Sequence, residues 1–220
     1  MKPSTLLQYF FGMSLVLACF GGDLAVCAAQ TPRASGETIV MVRHGEKPPM
    51  GLGQLSCKGL NRALALPPVL LGRYGKPDFI YAPNPGVQID EGHANSPLYS
   101  YVRPLVTIEP TAIRLGMPVN TQFGYDQIVG LQKALLQPAY AHSLIFVAWE
   151  HLKLYDFARQ MLQSNGSDPA QVPDWPGNDY ETIYVFHVTR AGESGTPKVT
   201  LEIQKEGLED TLSNTCPGQQ

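Results

Sequence analysis

The hydrophobic pattern of the chain alternates between short runs of strand length and longer segments with helical spacing. Residues 38–42 (TIVMV) and 143–148 (SLIFVA) are nearly continuous apolar runs, which are typical of strands buried on both faces of a sheet. Further strands are predicted at residues 78–82, 118–120, 182–189 and 198–204, the last two as an antiparallel pair. Helices are predicted at residues 58–71, 99–115, 125–136 and 150–162. This alternation predicts an α/β fold, a three-layer α/β/α sandwich with a mainly parallel central sheet.

Two segments break this regular pattern. Pro67 and Pro68 are expected to bend or interrupt the first helix, because proline lacks the N–H group that a helix interior needs. Residues 83–96 are polar and begin with Pro-Asn-Pro-Gly, which predicts a long loop.

The N-terminal residues 1–29 have the composition of a secretory signal peptide. Lys2 precedes an apolar stretch at residues 6–20, and small residues then lead to Ala28 and Ala29. The stretch is short and interrupted for a membrane span, so we expect cleavage near Ala29 and no membrane span in the mature chain. The predicted location is therefore the periplasm or the external medium.

The four cysteines divide between this segment and the rest of the chain. Cys19 ends a VLAC segment that resembles a bacterial lipobox, so a lipoprotein attached through Cys19 is one alternative and an uncleaved anchor is another. Cys57 and Cys216 remain in the mature chain. They are either a disulfide, as in an oxidising compartment, or two free thiols.

The composition describes one folded domain without the features of a nucleic-acid-binding protein. Of 220 residues, 44% are hydrophobic and 16% are charged, so residues 30–220 can bury a core as a single domain. The C-terminal tail from about residue 206 is expected to be loose. Sixteen lysines and arginines against 19 aspartates and glutamates give a net charge of −3. This balance excludes the basic surface that nucleic acid requires, so no nucleic-acid partner is predicted.

Residues with reactive side chains follow two of the predicted strands. Arg43 and His44 come directly after the first strand, and Trp149, Glu150 and His151 come directly after the fourth. In α/β sheets, ligands bind beyond the carboxyl ends of the parallel strands. These two segments are therefore the first candidates for a functional site.

The motifs of common metal and nucleotide sites are missing from the chain. It has no HExxH, no CxxC pair, no GxxxxGK[ST] loop and no GxGxxG segment after a strand. No metal and no cofactor are therefore predicted. The lack of a GxSxG elbow also disfavours an α/β-hydrolase.

Three segments of the chain match motifs of one known family in the same order. They are Arg43–Glu46 (RHGE) at a strand exit, residues 55–63 (LSCKGLNRA) and residues 103–110 (RPLVTIEP). The first resembles the opening motif of the histidine phosphatase superfamily, the phosphoglycerate-mutase-like proteins. The others resemble that family's helix motifs L-[ST]-x-x-G-x-x-[QR]-A and R-A-x-x-T-A-E-P. The resemblance covers about residues 37–190 and implies the fold of that superfamily.

The resemblance implies a metal-independent reaction on a small phosphorylated substrate. His44 would attack phosphorus to form a phosphohistidine, which water then hydrolyses. Arg43 and Arg103 would clamp the phosphate with bidentate hydrogen bonds, and His151 would stabilise phosphoryl oxygens in the transition state. The predicted function is that of an exported phosphomonoesterase of the histidine acid phosphatase type. A non-catalytic ligand-binding or interaction domain on the same fold is the alternative.

The chain departs from the family pattern at two places. The family commonly has Ser-His-Gly where this chain has Trp149-Glu150-His151, and the role of the second histidine is assigned to His151. Mutases have an acidic residue four positions before a glycine after the third strand. Here Asn120 stands four positions before Gly124, which argues against a mutase. The proton donor for the leaving group stays open among Glu46, Asp90, Glu91 and Glu150, with Glu150 preferred because it adjoins the histidine.

Overall fold

A central sheet flanked by helices organises the part of the chain that the structure describes. This computed structural model describes residues 36–192 and 195–219, so the predicted signal peptide of residues 1–29 lies outside the described residues. The strands are β1 (Glu37–Arg43), β2 (Phe79–Tyr81), β3 (Gln88–Ile89), β4 (Tyr99–Ser100), β5 (Leu144–Trp149), β6 (Thr182–Thr189) and β7 (Lys198–Lys205). The α-helices are α1 (Cys57–Tyr74), α2 (Arg103–Leu115), α3 (Ile128–Leu135) and α4 (His151–Ser164). Short 3₁₀ turns lie at Pro138–Tyr140, Pro169–Gln171 and Glu209–Thr211.

The main sheet has five strands in the order β2-β5-β1-β6-β7. Strand β5 pairs in parallel with both β1 and β2, and β6 runs antiparallel to both β1 and β7. Four of the five strands therefore point the same way, and the prediction of a mainly parallel sheet is confirmed. The predicted strand at 118–120 is reduced to a single bridge between Tyr81 and Asn120. In the β1–β5 register, Arg43 lies opposite Trp149, which brings the residues after both strands to one edge.

Helices cover both faces of this sheet, and each face has its own apolar core. On one face, Leu66 and Leu70 of α1 and Ile108 of α2 pack with Val40 and Phe146 of the strands. On the other face, α3 and α4 pack against the alternate side chains of the same strands. Successive strand side chains point to opposite faces, so each buried strand contributes to both cores. This is the three-layer sandwich that the sequence predicts.

Helix α1 runs without interruption through Pro67 and Pro68, so the prediction that the two prolines could interrupt the helix is wrong. The helix has 18 residues. Leu66 and Leu70 on either side of the prolines are fully buried, and their packing holds the helical path although backbone hydrogen bonds are lost. Of the helices in the described ranges, none combines the length and the apolar character needed to cross a lipid bilayer.

The segment predicted as a long loop at residues 83–96 contains one strand of a small hairpin. Strands β3 and β4 pair antiparallel, with Ile89 opposite Tyr99. The next helix therefore begins at Arg103 and not at Tyr99. Its start is fixed by a hydrogen bond from the Arg103 backbone N–H to the carbonyl oxygen of Gly53 (3.1 Å).

The C-terminal segment is anchored on α1, in contrast to the loose tail expected from about residue 206. Cys216 forms a disulfide with Cys57 in the first turn of the helix. Asn61 of the same helix donates a hydrogen bond to the carbonyl oxygen of Ser213 (2.8 Å). The local composition of the tail does not reveal these contacts, because every partner lies far away in the sequence.

Candidate active site

One pocket lies at the carboxyl ends of β1 and β5. The backbone N–H of His44 donates to the carbonyl oxygen of Trp149 (2.9 Å), so the parallel pairing extends to the residues that leave the two strands. The pocket is lined by Arg43, His44, Lys47, Ile89, Asp90, Glu91, Tyr101, Arg103, Tyr125, Glu150 and His151. The structure thus brings together all four side chains that the sequence indicates for the site: Arg43, His44, Arg103 and His151.

His44 is buried as a neutral imidazole with one unprotonated nitrogen. Burial lowers the pKa of His44 well below its usual value of 6.5, and the positive charge of Arg103 acts in the same direction. Its Nδ1 lies 2.7 Å from the carbonyl oxygen of Gly45. A carbonyl oxygen only accepts, so Nδ1 carries the proton. Nε2 is left with a lone pair, as a nucleophile requires.

Two contacts fix the backbone that carries His44. Gly45 packs directly on Gly59 of α1, and a Cβ atom at Gly45 would lie only 2.9 Å from the Gly59 Cα. The N–H of Gly45 donates to the Thr107 hydroxyl (2.9 Å), and that hydroxyl donates to the carbonyl oxygen of Arg103 (2.8 Å). Helix α2 is thereby tied to the end of β1, and Arg103 reaches the site although it is distant in sequence.

The Arg43 guanidinium is held by the loop that leads into β6. Its Nη1 donates to the carbonyl oxygen of Asp179 (2.8 Å), and its central carbon lies 3.8 Å from the centre of the Tyr180 ring. Its Nε is buried and has no hydrogen-bond partner among the described residues. A buried donor without a partner is costly, so this N–H favours an anion in the pocket.

Arg103 is held by the carboxylate of Glu91, just after strand β3. Its Nη1 and Nη2 donate to the two carboxylate oxygens, and both side chains are almost fully buried. Its Nε has no partner in the described part of the chain, so the guanidinium edge that includes Nε can engage a phosphate. Burial acts to raise the pKa of Glu91, but the bonds from Arg103 and from Gly53 N–H lower it overall. Glu91 is therefore ionised at neutral pH.

Glu150 and His151 contact each other at the start of α4. The Nδ1 atom of His151 lies 2.5 Å from Glu150 Oε1, and Glu150 Oε2 accepts a hydrogen bond from the backbone N–H of Lys153 (2.9 Å). This helix N-terminus is therefore capped by a carboxylate of the protein itself. Burial acts to raise the pKa of Glu150, but His151 and the N–H groups of the first turn outweigh it and lower the pKa to about 2.

The four carboxyl groups considered as proton donors lie in different environments. Glu46 does not line the pocket, because its two oxygens bond to Nε and Nη2 of Arg62 (3.0 and 2.8 Å). Glu91 and Glu150 line it, but their pKa values are lowered and both are ionised at neutral pH. Asp90 lies at the pocket as an exposed side chain. Glu150, the donor that the sequence favours, does not fit that role.

Tyr101 and Tyr125 line the pocket, Tyr180 lies behind His44 and Arg43, and no sequence motif contains these aromatic residues. The ring of Tyr101 is edge-on to His44, with ring centres 6.1 Å apart, and to Tyr125 at 5.5 Å. The centres of the Tyr180 and His44 rings lie 6.2 Å apart. Tyr101 stands two residues before Arg103, and this closeness to a motif is the signal that could have indicated it. Tyr180 follows a loop whose path the sequence does not reveal.

Several solved structures are similar to this one. A mycobacterial glucosyl-3-phosphoglycerate phosphatase, solved with inorganic phosphate, shares 14% sequence identity over 76% of this chain and 95% of its own, with a TM-score of 0.50. Phosphoglycerate mutase from Plasmodium falciparum shares 14% sequence identity over 77% of this chain and 90% of its own, with a TM-score of 0.49. A phosphoserine phosphatase mutant from Entamoeba histolytica, in complex with phosphoserine, shares 14% sequence identity over 80% of this chain and 99% of its own, with a TM-score of 0.47. No protein-family model and no curated protein matches the chain.

The likeness to the mycobacterial phosphatase shows the class of fold. The chain has a phosphoglycerate-mutase-like fold, as the motif resemblance predicts. The RHGE segment lies at the end of β1, and residues 103–110 form the first turns of α2.

Proposed function

We propose that this chain is a metal-independent phosphomonoesterase that hydrolyses small phosphate esters through a phosphohistidine on His44. The observation that carries the proposal is the convergence of a neutral imidazole and two arginine side chains in one pocket. Nε2 of His44 has a lone pair, and the Nε–H groups of Arg43 and Arg103 have no partner among the described residues. A nucleophile beside two forked cationic donors is what phosphoryl transfer requires.

The arginine side chains would bind the phosphate and compensate its charge. Each guanidinium can give two parallel hydrogen bonds to phosphate oxygens, and together the groups balance the two negative charges of a phosphate monoester. Both are already oriented by protein contacts, so little reorganisation accompanies the reaction. His151 lines the same pocket and would stabilise the phosphoryl oxygens in the transition state.

The reaction would proceed in two displacements at phosphorus. Nε2 of His44 attacks phosphorus, the P–O ester bond breaks, and its electron pair leaves on the ester oxygen. Water then attacks the phosphohistidine, and the P–N bond breaks to release phosphate and restore the imidazole.

Hydrolysis is favoured over mutase chemistry. Asn120 stands where mutases have an acidic residue, and its backbone bonds to Ile80 and Ala82 around β2. It does not line the pocket. The similar mycobacterial structure is also that of a phosphatase, which supports hydrolysis of a phosphate ester here.

A metal ion has no part in this proposal, because arginine side chains supply the positive charge. Over residues 36–192 and 195–219, no group of three or more His, Cys, Asp or Glu side chains has a spacing that could hold a metal ion. Activity is therefore expected to persist in excess EDTA. Loss of activity on chelation, restored by added zinc or magnesium, would contradict metal independence.

The experiment that tests the function is hydrolysis of a panel of phosphate esters, with p-nitrophenyl phosphate as the reference. We expect turnover by the wild type and none by His44→Ala. His187→Ala is the matched control, because His187 is an exposed histidine of β6 outside the pocket, and it should keep full activity. Binding of phosphate esters without turnover would instead support a non-catalytic ligand-binding domain.

Export to an oxidising compartment is part of the proposal. The Cys57–Cys216 disulfide supports it, since such bonds persist in exported proteins and are rare in the cytosol. Sequencing the N-terminus of the protein recovered from its native cell would test cleavage near Ala29. A mature protein that starts at Met1 would contradict it, and one that starts at a lipid-modified Cys19 would show the lipoprotein alternative.

A further inference from the structure

Tyr101 lines the pocket, and the proposed phosphohistidine mechanism gives its hydroxyl group no role. The side chain is 1% exposed, and its buried oxygen has the Arg103 side chain as a polar neighbour but forms no hydrogen bond of good geometry with the described residues. The guanidinium carbon of Arg103 lies 4.8 Å from the centre of its ring, and His44 meets the ring edge-on. Buried hydroxyl groups are rarely left without a good hydrogen bond. Because this hydroxyl belongs to a residue that lies between His44, the nucleophile, and Arg103, which binds the phosphate, a substrate oxygen is the partner that we expect for it.

Backbone contacts on both sides hold Tyr101 in place. The residues before it pair in the hairpin of β3 and β4. The residue after it and Arg103 both donate their backbone N–H to the carbonyl oxygen of Gly53 (3.1 Å each). Gly53 in turn donates to Glu91 (2.8 Å), which holds the Arg103 side chain. Tyr101 and the phosphate clamp therefore share one rigid support.

The leaving oxygen of an alkyl ester needs a proton, and two of the three carboxyl groups that line the pocket are ionised at neutral pH and have none to give. Glu91 and Glu150 are ionised at neutral pH, and Glu46 bonds to Arg62 outside the pocket. Asp90 remains as an exposed carboxyl group at the pocket. Tyr101 is a buried proton donor next to the nucleophile.

We propose that Tyr101 is the general acid of the phosphoryl transfer step, an inference that rests on the proposed phosphohistidine mechanism. While Nε2 of His44 forms its bond to phosphorus, the P–O ester bond breaks and its electron pair goes to the leaving oxygen. That oxygen takes the hydroxyl proton of Tyr101. The products of the step are the free alcohol, phosphohistidine and a tyrosinate.

The same residue completes the second step as a base. The tyrosinate lies beside the positive charge of Arg103 and takes a proton from the water that attacks the phosphohistidine. Phosphate leaves, and both Tyr101 and His44 return to their starting states. Burial raises the pKa of Tyr101 above its usual value, and Arg103 opposes this only in part, so the hydroxyl is protonated before the first step. An alkoxide is a stronger base than a tyrosinate, and the neighbouring charge of Arg103 stabilises the tyrosinate that forms.

The test compares Tyr101→Phe with the wild type on three esters of similar shape. p-Nitrophenyl, phenyl and benzyl phosphate have leaving groups of increasing basicity, and kcat/KM reports the first irreversible step, phosphorylation of His44. We expect benzyl phosphate to lose a factor on the order of 10² or more, which is typical of a lost general acid. p-Nitrophenyl phosphate should lose only a few-fold, because p-nitrophenolate leaves without a proton, and phenyl phosphate should lie between the two.

Two control variants separate this role from others. Tyr74→Phe removes a partly buried hydroxyl that bonds to Gln204 outside the pocket, and it should leave all three rates unchanged. Asp90→Asn should change kcat/KM by the same factor for all three esters, so that its effect does not depend on the leaving group. An equal effect of Tyr101→Phe on the three esters would overturn the acid role, as would a leaving-group dependence in Asp90→Asn that Tyr101→Phe lacks.

The outcomes for this step and for the proposed function can be told apart. An enzyme that hydrolyses none of the esters and takes no label on His44 overturns the phosphohistidine mechanism and this step with it. An enzyme that labels His44 but shows no leaving-group dependence in Tyr101→Phe overturns only the step. If Tyr101→Phe fails to fold, 3-fluorotyrosine at position 101 replaces it. The ratio of benzyl to p-nitrophenyl rates must then differ from that of the wild type, and an unchanged ratio overturns the inference.

Discussion

At the scale of single residues, the site consists of cationic groups that the protein orients before any ligand binds. Arg43 is held by the carbonyl oxygen of Asp179 and the ring of Tyr180, and Arg103 is held by Glu91. A guanidinium group that is already fixed loses little side-chain entropy on binding, and its planar fork keeps the orientation that phosphate oxygens need.

Replacing Arg103 with lysine tests this fixed clamp. We expect kcat/KM for p-nitrophenyl phosphate to fall by about 10²–10³, as for the loss of one oxyanion donor. Lysine keeps the charge but cannot form the bidentate fork. Arg159→Lys is the control, because Arg159 bonds to the carbonyl oxygen of Pro169 outside the pocket and should be replaceable without effect. Full activity in Arg103→Lys would contradict the clamp.

The sequence predicts some residues of the site and not others, for a physical reason. His44, Arg43 and Arg103 stand in linear motifs at the boundary of a strand or a helix, so local sequence is enough to find them. Tyr101 reaches the pocket through a hairpin that joins distant residues. The ionised state of Glu150 depends on a helix cap and on a contact with its neighbour, and neither can be read from residue type alone.

At the scale of elements, a buried arginine of α1 joins the end of β1, the start of β6 and the C-terminal segment. Arg62 donates hydrogen bonds to four carboxyl groups, which belong to Glu46, Glu181, Glu206 and Glu209. Glu46 follows the Gly45 turn, so this network supports the backbone that carries the nucleophile. The basic residue of the α1 motif therefore has a structural role here.

The network predicts a pH-dependent stability through Glu206. Burial raises the pKa of Glu206 from 4.5 to about 8, although Arg62 opposes the shift. The folded protein thus holds this proton more tightly than the unfolded chain. The contribution of Glu206 to the free energy of unfolding is complete below about pH 4.5 and is lost as the pH rises through about 8.

The measurement is denaturant unfolding of the wild type and Glu206→Gln from about pH 5 to about pH 9. We expect the stability of the wild type relative to Glu206→Gln to decline over this range, because glutamine does not titrate. Glu209→Gln is the control, since the hydrogen bond from Lys58 lowers the pKa of Glu209 and places its titration below this range. A constant difference between wild type and Glu206→Gln would contradict the account.

The disulfide between α1 and the C-terminal segment should contribute to stability mainly by restricting the unfolded chain. Cys57 and Cys216 are separated by 159 positions, so the bond closes a long loop. Replacing both with serine should lower the free energy of unfolding by about 2–4 kcal/mol in urea denaturation. A reducing agent should destabilise the wild type by a similar amount and leave the double variant unchanged. Equal unfolding midpoints for oxidised and reduced wild type would contradict this role.

Elements differ in how well their sequence predicts them. Strands β1 and β5 are continuous apolar runs, because both of their faces are buried, and such runs are visible locally. Strands β3 and β4 have two residues each, which is too short to show an alternating pattern. Helix α1 passes through Pro67 and Pro68 because its packing in the core outweighs a local preference.

At the scale of the whole molecule, strand order determines where the site lies. Strands β1 and β5 are distant in sequence but adjacent and parallel, so their carboxyl ends bring the two halves of the pocket together. The alternation of strands and helices predicts the layers of the sandwich. It does not predict which strands become neighbours, because that depends on pairing between remote segments. Export through the N-terminal segment stays a prediction.

The most direct test of the central claim is a search for phosphate bound to His44 during turnover. Enzyme mixed with a radiolabelled phosphate ester and quenched in denaturant at alkaline pH should carry label that is lost on mild acid treatment, as expected for a phosphohistidine. Peptide mapping should place the label on His44, and the His44→Ala protein should carry none. Turnover by the wild type without protein-bound label, or label that persists in His44→Ala, would contradict the proposed mechanism.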